Sequence, residues 1–191
     1  MDYPLLFYID NETSAFEQIC DIYIAWTLYC ADDRYSSTVP KVNKYAKRLL
    51  GKLLAISDDI SVLDKKSVSS IKVYRQEMFN CKNTVDIRCL ATIDGIEYQL
   101  IIEDKFDNKI DEKQLKTFKQ YLSSKFQHKS STCIFLHSGS IGDEPKDYKL
   151  CLKYGFKYFY LWKLKETYFN EGKTGNSLFD EFWFRWSDEE K

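Results

Sequence analysis

The stretch Val85-Asp86-Ile87-Arg88-Cys89-Leu90-Ala91-Thr92-Ile93-Asp94-Gly95-Ile96-Glu97-Tyr98-Gln99-Leu100-Ile101-Ile102-Glu103-Asp104-Lys105 decides the fold. Its two β-prone runs are joined by Asp94-Gly95, the sequence of a two-residue hairpin turn. Such a turn sets the register. Ile93 faces Ile96, each later pair keeps the same sum, and Asp86 falls opposite Glu103. Side chains alternate along a strand, so Ile87, Cys89, Ala91 and Ile93 share an apolar face with Ile96, Tyr98, Leu100 and Ile102. Asp86, Glu103 and Lys105 share the other. Directly opposed residues have Cβ atoms about 4.5–5.5 Å apart, where two carboxylates repel. A hard cation compensates them, since Mg2+ is held by one or two carboxylates and leaves its other positions to water and phosphate. Lys105 projects to the same side, placed to orient an attacking water or to stabilise charge on a phosphate. The plain alternative is a surface carboxylate pair neutralised by lysine. Register, apolar opposite face and strand-end position together favour the metal site, with Asp86 and Glu103 as its ligands.

Outward from the hairpin, Ile71 to Phe79 reads as a preceding strand, with Asn80-Cys81-Lys82-Asn83 as the turn. Upstream, Phe16, Ile19, Cys20, Tyr23, Trp26 and Thr27 recur at helical spacing after the capping candidates Asn11, Thr13 and Ser14. A second helix is expected from Pro40, capped by Ser37 or Thr38, with Val42, Ala46, Leu49, Leu50, Leu53 and Leu54 as its buried stripe. Segment 56 to 69 is polar and reads as loop. Downstream, Asp111 begins a helix with Leu115, Phe118, Leu122 and Phe126 on its apolar side. Thr132 to Leu136 is a continuous apolar run of the kind found in a strand covered on both faces, and Tyr158 to Leu164 suggests a further strand. Leu178, Phe179, Phe182, Trp183 and Trp186 form an aromatic stripe suited to core or a subunit contact. The order α, β, β, β, α, β indicates an α/β fold, a mixed sheet flanked by helices. One domain over 1–191 is expected: a helical part at 1–56, the sheet-bearing core at about 70–165 and an aromatic helix at about 176–187.

The hairpin resembles the PD-(D/E)XK nuclease superfamily, whose signature is an acid on one strand and an (E/D)xK triplet on the next. The matching residues are Asp86 in Val85-Asp86-Ile87 and the triplet Glu103-Asp104-Lys105. Gln114-Leu115, followed by Tyr121 on the next helix, is similar to the glutamine motif of many branches, and Glu77 occupies the place of an additional acid. Val85 departs from the nominal proline, which leaves the ligands untouched. The resemblance spans residues 71 to 136 and implies the αβββαβ restriction-endonuclease-like core, with Mg2+ (or Mn2+) as cofactor. It further implies that Asp86 and Glu103 bind the metal, that Lys105 positions the water, and that Gln114 and Glu77 support them in hydrolysing nucleic acid, DNA above all. With no ATPase, tunnel-forming or end-binding module in view, endonuclease is favoured over exonuclease. Dimerisation is a further expectation of the resemblance. Three readings compete with these roles. Asp111 and Gln114 fit a capping box, so Gln114 could serve the helix alone. Glu77 reaches the site face only if Phe79 pairs with Thr84. Asp104 should point away from Glu103, as strand-end solvation.

Composition sets the outer bounds. At net charge −1, bulk electrostatics do not mark a nucleic-acid-coating protein. Phosphate contact must then come from local lysines: Lys109, Lys113 and Lys116 lie next to the hairpin end, and Lys41, Lys44, Lys47, Arg48 and Lys52 form a second cluster. Either run also fits a solvated helix face. The 6 cysteines are scattered without a CxxC pair, and with only 2 histidines a zinc site or Cys/His nucleophile would need remote pieces of chain. Apolar runs shorter than a membrane span and an N-terminus without a basic leader place the protein in the cytoplasm. Two alternatives stay open: a non-catalytic nucleic-acid- or protein-binding module on the same fold, and an RNA-cleaving enzyme.

Overall fold

The computed structural model describes residues 13–80, 83–106, 110–125, 130–139 and 144–186. A helical layer comes first, with α1 (Thr13–Tyr29), α2 (Pro40–Leu53) and the short α3 (Ile60–Leu63). The strands follow: β1 (Val68–Asn80), β2 (Asn83–Ile93) and β3 (Ile96–Lys105), then α4 (Glu112–Lys125), β4 (Ser131–His137), α5 (Glu144–Tyr154) and β5 (Lys157–Tyr160). The described chain closes with α6 (Leu161–Tyr168), α7 (Ser177–Glu181) and a π-turn over Phe182–Trp186. The sheet runs in order β1-β2-β3-β4-β5. β1, β2 and β3 are antiparallel neighbours, whereas β4 and β5 join in parallel. This is the mixed α/β sheet expected. No described helix is long and apolar enough to cross a membrane.

The hairpin register is the expected one, running from Ile93↔Ile96 to Ile87↔Ile102. Asp94 and Gly95 have φ of +50° and +79°, the left-handed values that a type I′ turn requires. Ile87, Cys89, Ala91, Ile93, Leu100 and Ile102 are buried against α1, α2 and the α6–α7 region, and full burial of each of the isoleucines and of Leu100 contributes roughly 1.5–3 kcal/mol. Ile96, at the turn, stays exposed rather than joining that face. The second core lies across the sheet, where Val85, Ile101 and Phe135 meet Leu115 and Phe118 of α4 and Cys151 of α5.

Several local expectations are corrected. Segment 56–69 contains α3, whose Ser61 N–H donates to Asp59 Oδ1 at 2.8 Å, and β1 begins within it at Val68. Pro40 does start α2, but the cap position is Val39 and neither Ser37 nor Thr38 caps it; Thr38 Oγ1 donates instead to Tyr35 O. The chain leaves the sheet after Tyr160, so Leu161 to Leu164 are helix rather than strand, with Leu161 and Leu164 buried in the first core. α5 was not anticipated. Three members of the C-terminal aromatic stripe are core: Phe179, Phe182 and Trp183 are fully buried, and Trp183 Nε1 donates to Thr27 Oγ1 at 2.9 Å, whereas Leu178 is half exposed and the Trp186 side chain lies outside the described residues.

Candidate active site

The site forms where β2 and β3 separate. Their ladder ends at Ile87↔Ile102, and one residue further the Asp86 side chain takes over, its Oδ2 accepting the Asp104 backbone N–H at 2.9 Å. Val85 and Ile87, two residues apart, pack in opposite cores, so the alternation of β2 is broken at Asp86. This lets one carboxylate face groups from both sides of the sheet.

On the α4 side stands Glu103, only 2% exposed. Its Oε1 accepts from Lys105 Nζ at 2.9 Å and from Gln114 Nε2. Its Oε2 is buried with no donor among the described residues. Burial first, then the negative charge of Asp86, pushes the Glu103 carboxyl up to about 8, against the pull of Lys105. For Lys105 burial opposes the charge, but Glu103 and Asp86 outweigh it and hold the ammonium above its ordinary range. Lys105 is thus held cationic by its two acidic neighbours. Its Nζ also donates to Asp104 O at 2.9 Å, which fixes the ammonium over the strand end.

Gln114 is divided differently from a capping box. Asp111 does cap α4, accepting the Lys113 N–H at 2.9 Å, but the Gln114 side chain goes to Glu103. The two competing roles fall on different residues.

The α1 side carries acids that the sequence reading did not single out. A cavity of about 440 Å³ is lined by Glu17, Gln18 and Asp21 of α1, Arg75 and Gln76 of β1, and Asp86 and Asp104. Asp104 is 1% exposed, which overturns its reading as strand-end solvation. It does point away from Glu103, towards α1, where Ser138 Oγ donates to its Oδ2 at 3.0 Å while Oδ1 meets no donor among the described residues. Burial above all, then Asp21, drives its carboxyl well above the usual range. Burial and Asp86 likewise push Asp21 up to about 7. Glu17 accepts the Phe106 backbone N–H at 3.1 Å. Glu17 and Asp21 are one helical turn apart on α1, a spacing that could have pointed to a shared acidic face.

Glu77 is not brought to this cluster. Asn80 pairs with Asn83 at the tip, as the sequence suggested, but a register shift between Met78 and Asn80 pairs Met78 with Thr84 and Glu77 with Val85. One extra residue in β1 accounts for the offset, and it places Gln76 across from Asp86. Glu77 pairs with Arg88 at 2.5 Å instead. Lys113 and Lys116 are exposed on α4 and form no ion pair among the described residues; Lys109 lies outside the described residues. The other lysine cluster is engaged structurally, through Lys44–Glu171, Lys47–Asp33, Arg48–Asp64 and Lys52–Asp58.

Asp86 and Glu103 fit a hard divalent cation. Both side chains offer carboxylate oxygens, and Glu103 Oε2 is a buried acceptor facing no hydrogen-bond donor among the described residues. Among the described residues no three acidic, His or Cys side chains converge as a complete cage, so most of the coordination shell would be left to water or substrate.

A family model described as the PD-(D/E)XK nuclease superfamily matches residues 23–176. No curated protein and no solved structure matches the chain.

Proposed function

Because the chain belongs to the PD-(D/E)XK nuclease superfamily, we propose that it is a divalent-metal-dependent DNA endonuclease acting through Asp86, Glu103 and Lys105. One observation carries this reading. Glu103 is buried beside Asp86 with two donors on one oxygen and none on the other, a deficit that a cation would fill.

Hydrolysis joins a water oxygen to phosphorus and breaks the bond to one ester oxygen, with the water's protons passing to the departing oxygen and to solvent. Asp86 and Glu103 would hold Mg2+ or Mn2+, which when bound lowers the pKa of water and polarises the phosphoryl oxygen. Lys105 keeps its proton throughout and acts as a fixed donor, orienting the water and offsetting charge on the phosphate. Gln114 holds Glu103 from the α4 side, so the carboxylate does not have to be ordered when substrate arrives. Lys113 and Lys116 of α4, with Lys109 before it, would contact backbone phosphates, supplying locally the positive charge that the chain lacks overall.

Incubating the purified protein with supercoiled plasmid, single-stranded DNA and RNA, each with Mg2+, Mn2+ or EDTA, tests the proposal. Metal-dependent nicking and linearisation of plasmid is the expected result. Cleavage of RNA alone would reassign the substrate. Binding without cleavage under every metal would replace the enzyme with a non-catalytic binding module.

A further inference from the structure

Gln76 lies directly across from Asp86, bracketed by the pairs Arg75↔Ile87 and Glu77↔Val85. Its φ is +50°, in the left-handed region, inside an otherwise extended strand. A residue with a Cβ is held there only when its surroundings compel it, and such strain gathers at functional positions. From this position the amide reaches two acids: Gln76 Nε2 donates to Asp86 Oδ1 at 3.1 Å and to Asp21 Oδ2 at 3.2 Å. A primary amide nitrogen carries two hydrogens, and here each meets one carboxylate. The second oxygen of Asp86 accepts the Asp104 backbone N–H at 2.9 Å. Asp86 is thus gripped at both oxygens, by β1 on one side and β3 on the other.

We propose that Gln76, anchored from behind by Asp21 of α1, is a positioning residue that aims Asp86 at the divalent cation. The inference rests on Asp86 being a metal ligand. Asp86 stands where the β2–β3 ladder has ended, so the ladder no longer constrains its side chain. Gln76 supplies that constraint without adding charge. Asp21 makes the constraint rigid: it is 2% exposed, comes from a different layer of the fold, and fixes the same amide nitrogen that fixes Asp86. The left-handed backbone at residue 76 is what delivers the amide to this point. A glutamine following ordinary strand geometry would stand off the sheet like its neighbours.

The test is Mn2+ binding, followed by the electron paramagnetic resonance signal of free Mn2+ as it is titrated against the full chain. Gln76→Met keeps the side-chain length and removes the donors; Gln76→Gly removes the donors and accepts the left-handed backbone freely. Both should bind Mn2+ about tenfold more weakly than wild type, the scale on which outer partners tune metal sites. Asp21→Ala, which leaves β1 unaltered, should weaken binding in the same direction and keeps the question answerable if the Gln76 variants melt below the assay temperature in EDTA. Wild type and all variants binding alike would overturn the inference and leave the metal reading intact. Weak binding by Gln76→Met with normal binding by Gln76→Gly would also overturn it, by placing the effect in the backbone. A wild type that binds no Mn2+ would overturn both the inference and the reading beneath it.

Discussion

Arg48 and Glu103 are equally buried, each 2% exposed, yet their surroundings differ in kind. Arg48, on α2, has five N–H groups, and all five are met: by both oxygens of Asp64, by Glu171 Oε1, by Tyr168 O and by Asn170 Oδ1. Glu103 crowds two donors on one oxygen and leaves the other without any among the described residues, next to a second carboxylate. A buried titratable side chain is therefore not in itself a sign of function. The satisfied guanidinium pins α2 to the chain after α6, whereas the unsatisfied carboxylate marks a place where something further can bind.

The comparison breaks if the two regions respond alike to mutation. Lys105→Ala should lower plasmid cleavage by about 10² to 10³-fold, the loss seen when one preorganised charge-stabilising donor is removed, while its melting curve in EDTA falls less than that of Arg48→Met because Glu103, left without its cation, takes up a proton. Arg48→Met should do the opposite. It should cost about 3 kcal/mol of stability, the low end for breaking a buried pair because Asp64 and Glu171 remain partly in water, and leave cleavage per folded molecule unchanged well below the melting temperature. Cleavage assays and thermal melts on the two proteins, run together, decide it. An active Lys105→Ala, or a folded but inactive Arg48→Met, would erase the distinction.

A smaller effect sharpens the same contrast. In the folded protein without metal, Glu103 titrates near 8 and Asp21 near 7, both raised above the unfolded range of about 4. Between these limits the folded state binds more protons than the unfolded one, so stability falls as pH rises from about 4 to about 8, by up to about 1.4 kcal/mol per pH unit for each such proton. Urea melts in EDTA across that range should show the decline. Glu103→Gln should make the decline shallower, leaving the part due to Asp21 and Asp104, and an equal slope in that variant would remove Glu103 as a source.

The hairpin was legible because its information is local. Asp94-Gly95 fixes a turn, the turn fixes a register, and the register brings Glu103 and Lys105 to one strand end. Gln114 was half legible: its spacing fits both a cap and a site, and only the packing of α4 against the sheet shows that its amide meets Glu103. Glu77 was misplaced because an irregularity between Met78 and Asn80 shifts β1 by one residue from Met78 back to Ser70, and no residue type in Glu77-Met78-Phe79-Asn80 announces it. Asp21 was missed, and Asp104 read as solvated, for a different reason. Acids are ordinarily solvated, and their burial follows from α1 docking on the sheet, a long-range event that periodicity does not encode.

The central claim is that the unsatisfied carboxylate pair is a cation site, and the melting temperature of Glu103→Gln against that of wild type, across a Mn2+ titration, tests it most directly. Asp86 is the poorer probe, because it accepts N–H groups on both oxygens and an amide there would turn a donor towards one of them. Glutamine at 103 keeps the accepting oxygen for Lys105 and Gln114, removes the repulsion with Asp86 and turns its NH2 towards that carboxylate, so in EDTA the variant should melt at or above the wild-type temperature. At a metal concentration about 100 times the Kd, wild type should gain about 2.7 kcal/mol, or about 5–10 °C, while Glu103→Gln gains far less. A wild type whose melting temperature ignores divalent metal, with Glu103→Gln clearly destabilised in EDTA, would make the pair a structural feature and contradict the account.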